Sequence, residues 1–188
     1  MSDIFPPDDS EMEKAIGRFL ISWGALEREL DQGISIFLDL HGPLALCVTA
    51  NLGTKGKLDL LRSACTEFYC NYDCDAMDRV HAILNRIADL SGRVRNTAAH
   101  GQPIVLRAIG DIEERWTWAR YSARKEVKAN YANFGDAEFW RREADALRAL
   151  ITELVDECEI ASRYVLSLTA DQRVEQFGHI ARAERGDR

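Results

Sequence analysis

The stretch SEMEKAIGRFLISWGALERELDQGISIFLDL, from Ser10 to Leu40, decides the fold. Within it Ile16, Phe19, Leu20, Trp23, Leu26, Leu30, Ile34, Phe37 and Leu38 recur at steps of three and four. Such steps line apolar side chains along one side of a 3.6-residue helix, so the spacing predicts an amphipathic helix of about seven turns ending near Leu40. Ser10 and Glu13 supply a capping-box pattern at its start, the hydroxyl accepting from the third amide and the carboxylate reaching back to the cap. His41-Gly42-Pro43 is the predicted stop. Residues 1–9, with Pro6-Pro7, read as a frayed lead-in. Glu27 is the exception on this helix: it lies beside the apolar stripe, where a buried carboxylate has to be paired or hydrogen-bonded.

Working outward, residues 44–53 read as a helical turn plus connector. A second helix is predicted from Thr54 to Tyr69, with Leu58, Leu61, Ala64, Cys65 and Phe68 on one face. Lys55 and Lys57 fall in its first turn, the unfavourable end for cations. Solvent exposure explains them, with contact to an anion as the alternative. A third helix is predicted from Asp75 to His100 on the seam Val80, Leu84, Ile87, Ser91, Val94 and Ala98, closed by Gly101 with Pro103 beyond. The pattern then changes. Ile104 to Ile109, a Gly110-Asp111 turn and the alternating Arg115 to Tyr121 predict a β-hairpin. Trp116 and Trp118 share one face of its second strand, the face expected to pack on the helices. Asp136 is the predicted cap of a long helix reaching about Leu168, with Leu147, Leu150, Ile151, Leu154, Val155, Cys158, Ala161, Val165 and Leu168 as its stripe. Thr169 and Gln172 form another capping-box pattern, opening a short helix with Val174, Phe177 and Ile180.

Long helices joined by short connectors pack antiparallel. The expected fold is therefore all-α: an antiparallel four- to five-helix bundle with a small β-hairpin, at about 103–123, inserted before the last long helix. One domain spans 10–181, and 182–188 is a polar tail. A chain of 188 residues fits one such domain.

No apolar run approaches the ~20 residues that span a bilayer. The first residues lack the basic start and apolar core of a signal peptide. A cytoplasmic protein without a membrane partner is the expectation. The five cysteines, Cys47, Cys65, Cys70, Cys74 and Cys158, are odd in number and form no CxxC pair. They read as buried or half-buried free thiols rather than a disulfide framework. A metal site from Cys65, Cys70, Cys74 and a His has no recognised spacing. The net charge of −7 argues against broad coating of DNA or RNA. It leaves room for an enzyme that touches a few phosphates in a local positive cleft.

The candidate chemistry lies at the end of the third helix, Arg93-Val-Arg-Asn-Thr-Ala-Ala-His-Gly101. Projected at 100° per residue, Asp89, Arg93, Asn96 and His100 fall roughly opposite the core seam, and Arg95 about 100° from Val94 on the flank. Asn96 and His100 are four apart and can face one partner. Cations also favour a helix C-terminus for electrostatic reasons alone, so an isolated Arg-Asn-x-x-x-His is more often a solvated helix end than an active site.

The segment Arg95-Asn96-Thr97-Ala98-Ala99-His100 resembles the motif of the HEPN superfamily (higher eukaryote and prokaryote nucleotide-binding domains): an Arg, a polar residue directly after it, and a His beyond a spacer of four to six. Arg95 has Asn96 behind it and a four-residue spacer. Arg93 has a six-residue spacer, but Val94 follows it, so the motif Arg is carried onto Arg95 with Arg93 as the alternative. The resemblance covers roughly 10–168 in architecture and these six residues in motif. It implies a metal-independent endoribonuclease in which two motifs of a homodimer build one cleft, plausible as a toxin or phage-defence effector with RNA as substrate and an antitoxin or regulatory protein as partner. It implies His100 as acid or base, Arg95 as phosphate clamp and Asn96 as the orienting group. No metal and no cofactor are called for. Glu27 is expected to pair with Arg95 or Arg93. The interleaved Arg107, Arg115, Arg120, Trp116 and Trp118 suggest RNA contact, although Asp111, Glu113, Glu114 and Glu126 dilute the basic patch. The competing reading is a non-catalytic HEPN-like helical dimer that serves as an RNA-binding or protein-interaction module.

Overall fold

The computed structural model describes residues 10–40, 43–69, 73–95, 98, 102–106, 115–121, 127–128, 137–169, 171–172, 174 and 177; for Ser10 and the three strands it describes the backbone alone. Among these, five α-helices dominate: α1 (Ser10–Phe37), α2 (Pro43–Thr49), α3 (Thr54–Tyr69), α4 (Cys74–Leu90) and α5 (Ala137–Ser167). A π-helical turn, Ser91–Arg95, follows α4 directly. Between it and α5 lie β1 (Gln102–Leu106), β2 (Arg115–Tyr121) and β3 (Val127–Lys128). β2 is the middle strand; it pairs antiparallel with β1, Ile104 opposite Thr117 and Val105 opposite Trp116, and with β3, Arg120 opposite Lys128. The connection between β1 and β2, with Gly110-Asp111, lies outside the described residues, as do the side chains of Trp116 and Trp118.

The chain divides into two compact units. Unit 1 comprises residues 1–24 and 89–149, and unit 2 comprises 25–88 and 150–188. The boundaries fall inside α1, α4 and α5, so each of those helices runs through both.

In unit 1 the core is aromatic. The ring of Phe19 meets Trp140 edge-on at 5.6 Å and lies 6.0 Å from Trp23, and Phe139 meets Trp140 at 5.5 Å. Edge-to-face pairs of this kind add about 1 kcal/mol beyond the area they bury. Met12, Ala15, Leu90, Val94, Ala144 and Leu147 complete the buried set. The stripe expected on α5 starts at Leu147. The observed stripe begins a full two turns earlier, at Phe139 and Trp140, and the step Trp140, Glu143, Leu147 carries a carboxylate into the seam.

In unit 2 Phe68 is a hub. Its ring contacts Phe37, Tyr69, Tyr164 and Phe177 within 4.9–6.1 Å. Gly33 is required on α1: a Cβ there would stand 3.2 Å from Cys158 Sγ and 3.3 Å from both methyls of Leu61. Ion pairs tie α4 to α5, with Arg79 Nε 2.7 Å from Glu157 and Arg86 Nη1 2.6 Å from Glu153.

Several expectations are corrected. Leu20 faces outward and Leu38 is half-buried, so the α1 stripe is narrower than its apolar composition. α1 also ends at Phe37, before the Gly-Pro stop. Asp39 takes φ 49°, the Leu40 amide donates to the Ser35 carbonyl, and the Asp39 amide donates to the Ile36 carbonyl. This is a Schellman ending with Asp where Gly is usual. α4 starts at Cys74 because Asp73 caps it, its Oδ1 accepting from the Ala76 amide at 2.9 Å. Lys57 is 8% exposed rather than solvated; the anion it contacts is Asp31. Of the cysteines, Cys65 and Cys158 are buried but Cys47 and Cys74 are exposed; Cys70 lies outside the described residues. The second capping box is reciprocal: Gln172 Oε1 accepts from the Thr169 amide, and Thr169 Oγ1 accepts from the Gln172 amide.

Candidate functional site

The candidate site belongs to unit 1 and starts where α4 changes pitch. Ser91-Gly92 opens the π-turn, two weak helix formers in succession. Adjacent Ser and Gly are a common place for a helix to break regularity. A π-turn bonds each amide to the fifth carbonyl back, so one extra residue is fitted into the turn. Residues beyond it are rotated backward by about one residue's step, on the order of 100°, relative to a regular helix. That matters for Arg95. The uniform projection puts it on the flank; as the last residue of the π-turn it stays about one residue's step round from Val94, and both are turned back relative to α4. Val94 is fully buried and Arg95 is half-buried.

Arg93 is engaged differently. Its Nη2 lies 3.3 Å from Glu143 Oε2 and its Nε 3.4 Å from Asp89 Oδ2. Glu143 is 7% exposed, the only carboxylate buried to that degree among the described residues. Its other oxygen faces Arg142 Nη2 at 3.6 Å, and the Arg142 guanidinium stands 5.5 Å over the Phe139 ring. Arg95 makes no ion pair among the described residues. Nearby, Arg141 Nη2 pairs with Glu11 at 2.8 Å. The hydrogen bond from Lys14, the charge of Lys14 and the hydrogen bond from Arg141 together hold the Glu11 carboxyl below its ordinary range.

Of the residues singled out in the sequence, Arg93 and Arg95 are thus on one turn. Asn96, His100 and Arg107 lie outside the described residues. Arg115 and Arg120 are placed on β2 by its backbone, with their side chains outside the description. Glu27 belongs to unit 2, where its Oε1 accepts a hydrogen bond from the Thr54 hydroxyl; the described partners of Arg93 are Glu143 and Asp89. Glu143 was missed. The signal was present in the three- and four-residue step from Trp140 through Glu143 to Leu147, Leu150 and Leu154, a charged residue occupying a seam position.

Elsewhere, the buried thiols are poor nucleophiles. Burial pushes Cys65 up to about 12, with Cys158 and Glu157 adding to the shift, and burial likewise pushes Cys158 up to about 12. Among the described residues no group of three or more His, Cys, Asp or Glu is placed to hold a metal ion, and no helix is long and apolar enough to cross a membrane. Comparison with protein-family models, with curated proteins and with solved structures finds no match for this chain.

Proposed function

We propose that the chain is a HEPN-like, metal-independent endoribonuclease acting as a homodimer, with the motif Arg95, Asn96 and His100. The accompanying fold is an antiparallel helical bundle with a hairpin inserted before the last long helix. One observation carries the reading: of the two candidate arginines, Arg93 is held by Glu143 and Asp89, while Arg95 makes no ion pair among the described residues at the end of a π-turn. π-turns inside helices recur at functional sites, and a guanidinium that no described carboxylate pairs with suits a phosphate clamp.

The chemistry is self-cleavage of RNA. The ribose 2′-oxygen attacks the adjacent phosphorus, the bond to the 5′-oxygen breaks, and a cyclic phosphate and a free 5′-hydroxyl result. One His100 takes the 2′ proton as general base, and the His100 of a second copy returns a proton to the leaving oxygen. Arg95 offsets the charge that develops on the phosphorane. Asn96 orients the imidazole or donates to the phosphate. Arg107, Arg115 and Arg120 extend the contact along the strand of RNA. A cytoplasmic toxin or phage-defence effector, restrained by an antitoxin or regulatory protein, is the role in which such an activity is useful.

The test is cleavage of RNA by the purified chain in EDTA, abolished by His100→Ala. Cleavage that persists unchanged in that variant overturns the assignment. The net charge of −7 favours one other reading, a HEPN-like dimer that binds RNA or protein without cutting. It predicts retention of the partner with no cleavage product.

A further inference from the structure

We infer that Glu143 is a positioning residue for Arg95: the ion pair of its buried carboxylate with Arg93 clamps the π-turn, and the π-turn sets the direction in which Arg95 points. The inference rests on the reading of Arg95 as the phosphate clamp.

Three observations converge on Glu143. It is a carboxylate in an otherwise apolar seam, with its side chain 9% exposed. Burial of a carboxylate is costly unless it is paired, and an apolar residue in its place is often no worse for stability. A buried carboxylate at a seam position therefore asks for a reason other than stability. Its first partner, Arg93, is the middle residue of the π-turn. Arg93 is also tethered to Asp89 on the last turn of α4. The guanidinium thus spans the regular helix before the turn and α5 alongside it.

The π-turn itself needs holding. It fits one residue more than a regular turn, and such irregular backbone persists where the surroundings fix it. Relaxation of Ser91–Arg95 to α-helical bonding rotates everything after it by about one residue's step, on the order of 100°. Arg95, the last residue of the turn, is carried round with it relative to α4. Displacement of a guanidinium by that much removes it from a site where about 1 Å of misplacement already costs two orders of magnitude in rate. Glu143 touches no substrate in this arrangement. It acts through Arg93 on the backbone that carries Arg95.

The test compares wild type, Glu143→Gln and the double variant Glu143→Gln/Arg93→Gln, with Glu153→Gln, which breaks the exposed Arg86–Glu153 pair, as control. The double variant leaves no buried charge orphaned, since Asp89 and Arg142 are exposed, so it retains the fold if the single variant does not. The first readout is amide hydrogen exchange in a peptide covering Ser91–Arg95. Exchange at least tenfold faster in both Glu143 variants, and unchanged in the control, is expected. The second is RNA cleavage in EDTA, where kcat should fall at least tenfold with KM within a factor of two. Unchanged exchange overturns the clamp whatever the activity. Faster exchange with kcat unchanged overturns the positioning role. Wild-type chain that cuts no RNA, with exchange accelerated in the variants, sinks the ribonuclease reading, and with it the role assigned here to Arg95, while the clamp on the turn stands.

Discussion

Lys57 Nζ lies 2.7 Å from Asp31 Oδ1 and 2.8 Å from Oδ2, in a pair whose lysine side chain is 11% exposed and whose aspartate is 27% exposed. A cation in the first turn of α3 would be misplaced against the helix dipole; the α1 carboxylate in front of it offsets that. Removal of one partner leaves a largely buried charge alone. Lys57→Met is expected to cost about 2 kcal/mol in urea unfolding, and Lys57→Met/Asp31→Asn to recover most of it. A double variant no better than the single one would show that the two residues are not coupled.

Asp39 closes α1 in a left-handed conformation where Gly is usual. Its carboxylate also stands at the negative end of the helix. Asp39→Gly should therefore stabilise the chain by about 0.5 kcal/mol, the relief of the side chain at positive φ outweighing the added freedom of the unfolded chain. A lower denaturation midpoint in this variant would contradict that account.

Cys65 and Cys158 carry a pH dependence with a fixed sign. Both thiols are raised from 9.0 to about 12 in the folded chain, chiefly by burial. Between those values the unfolded chain releases protons that the folded one keeps, so stability is complete below pH 9 and falls as pH rises through about 12. The slope of unfolding free energy against pH in the alkaline range should flatten in Cys65→Ala and in Cys158→Ala. In native protein at neutral pH, a thiol reagent mapped by mass spectrometry should modify Cys47 and Cys74 well before these two.

Arg95 and Arg93 should differ in what a lysine can replace. Arg95→Lys keeps the charge but loses the planar fork, and is expected to lower kcat for RNA by about a hundredfold with the unfolding midpoint unchanged. Arg93→Lys should show the larger loss of stability, because it loosens the hold on buried Glu143. Equal effects on stability would argue that the two guanidinia are in equivalent surroundings.

The long helices were legible because burial repeats along them. Phe19, Trp23, Leu26, Leu30 and Ile34 are all buried at the steps the sequence shows, and α3 begins and ends at Thr54 and Tyr69 as its apolar face indicates. What could not be read was what breaks the repeat. Val94 stands three residues after Ser91 and is buried in the π-turn, so the three- and four-residue spacing does not reveal the extra residue. Asp39 ends α1 by a backbone angle that Asp only occasionally takes. Lys57 and Glu143 are charged, and sequence patterning sends charges outward; only the partner on another helix makes their burial affordable. For this reason the sequence pointed to Arg95, Asn96 and His100, of which only Arg95 is among the described residues, and passed over Glu143.

The aromatic core of unit 1 has an optical consequence. All four tryptophans, Trp23, Trp116, Trp118 and Trp140, fall within its residue ranges, while the five tyrosines are divided, Tyr121 and Tyr131 in unit 1 and Tyr69, Tyr72 and Tyr164 in unit 2. Selectively excited indole emission therefore follows one unit, while far-ultraviolet circular dichroism follows the helices of both. The two unfolding curves can be recorded on the same sample without any label. Coincident midpoints would mean that α1, α4 and α5 melt as whole rods; separated ones would mean that each rod frays from one end while the other half still stands.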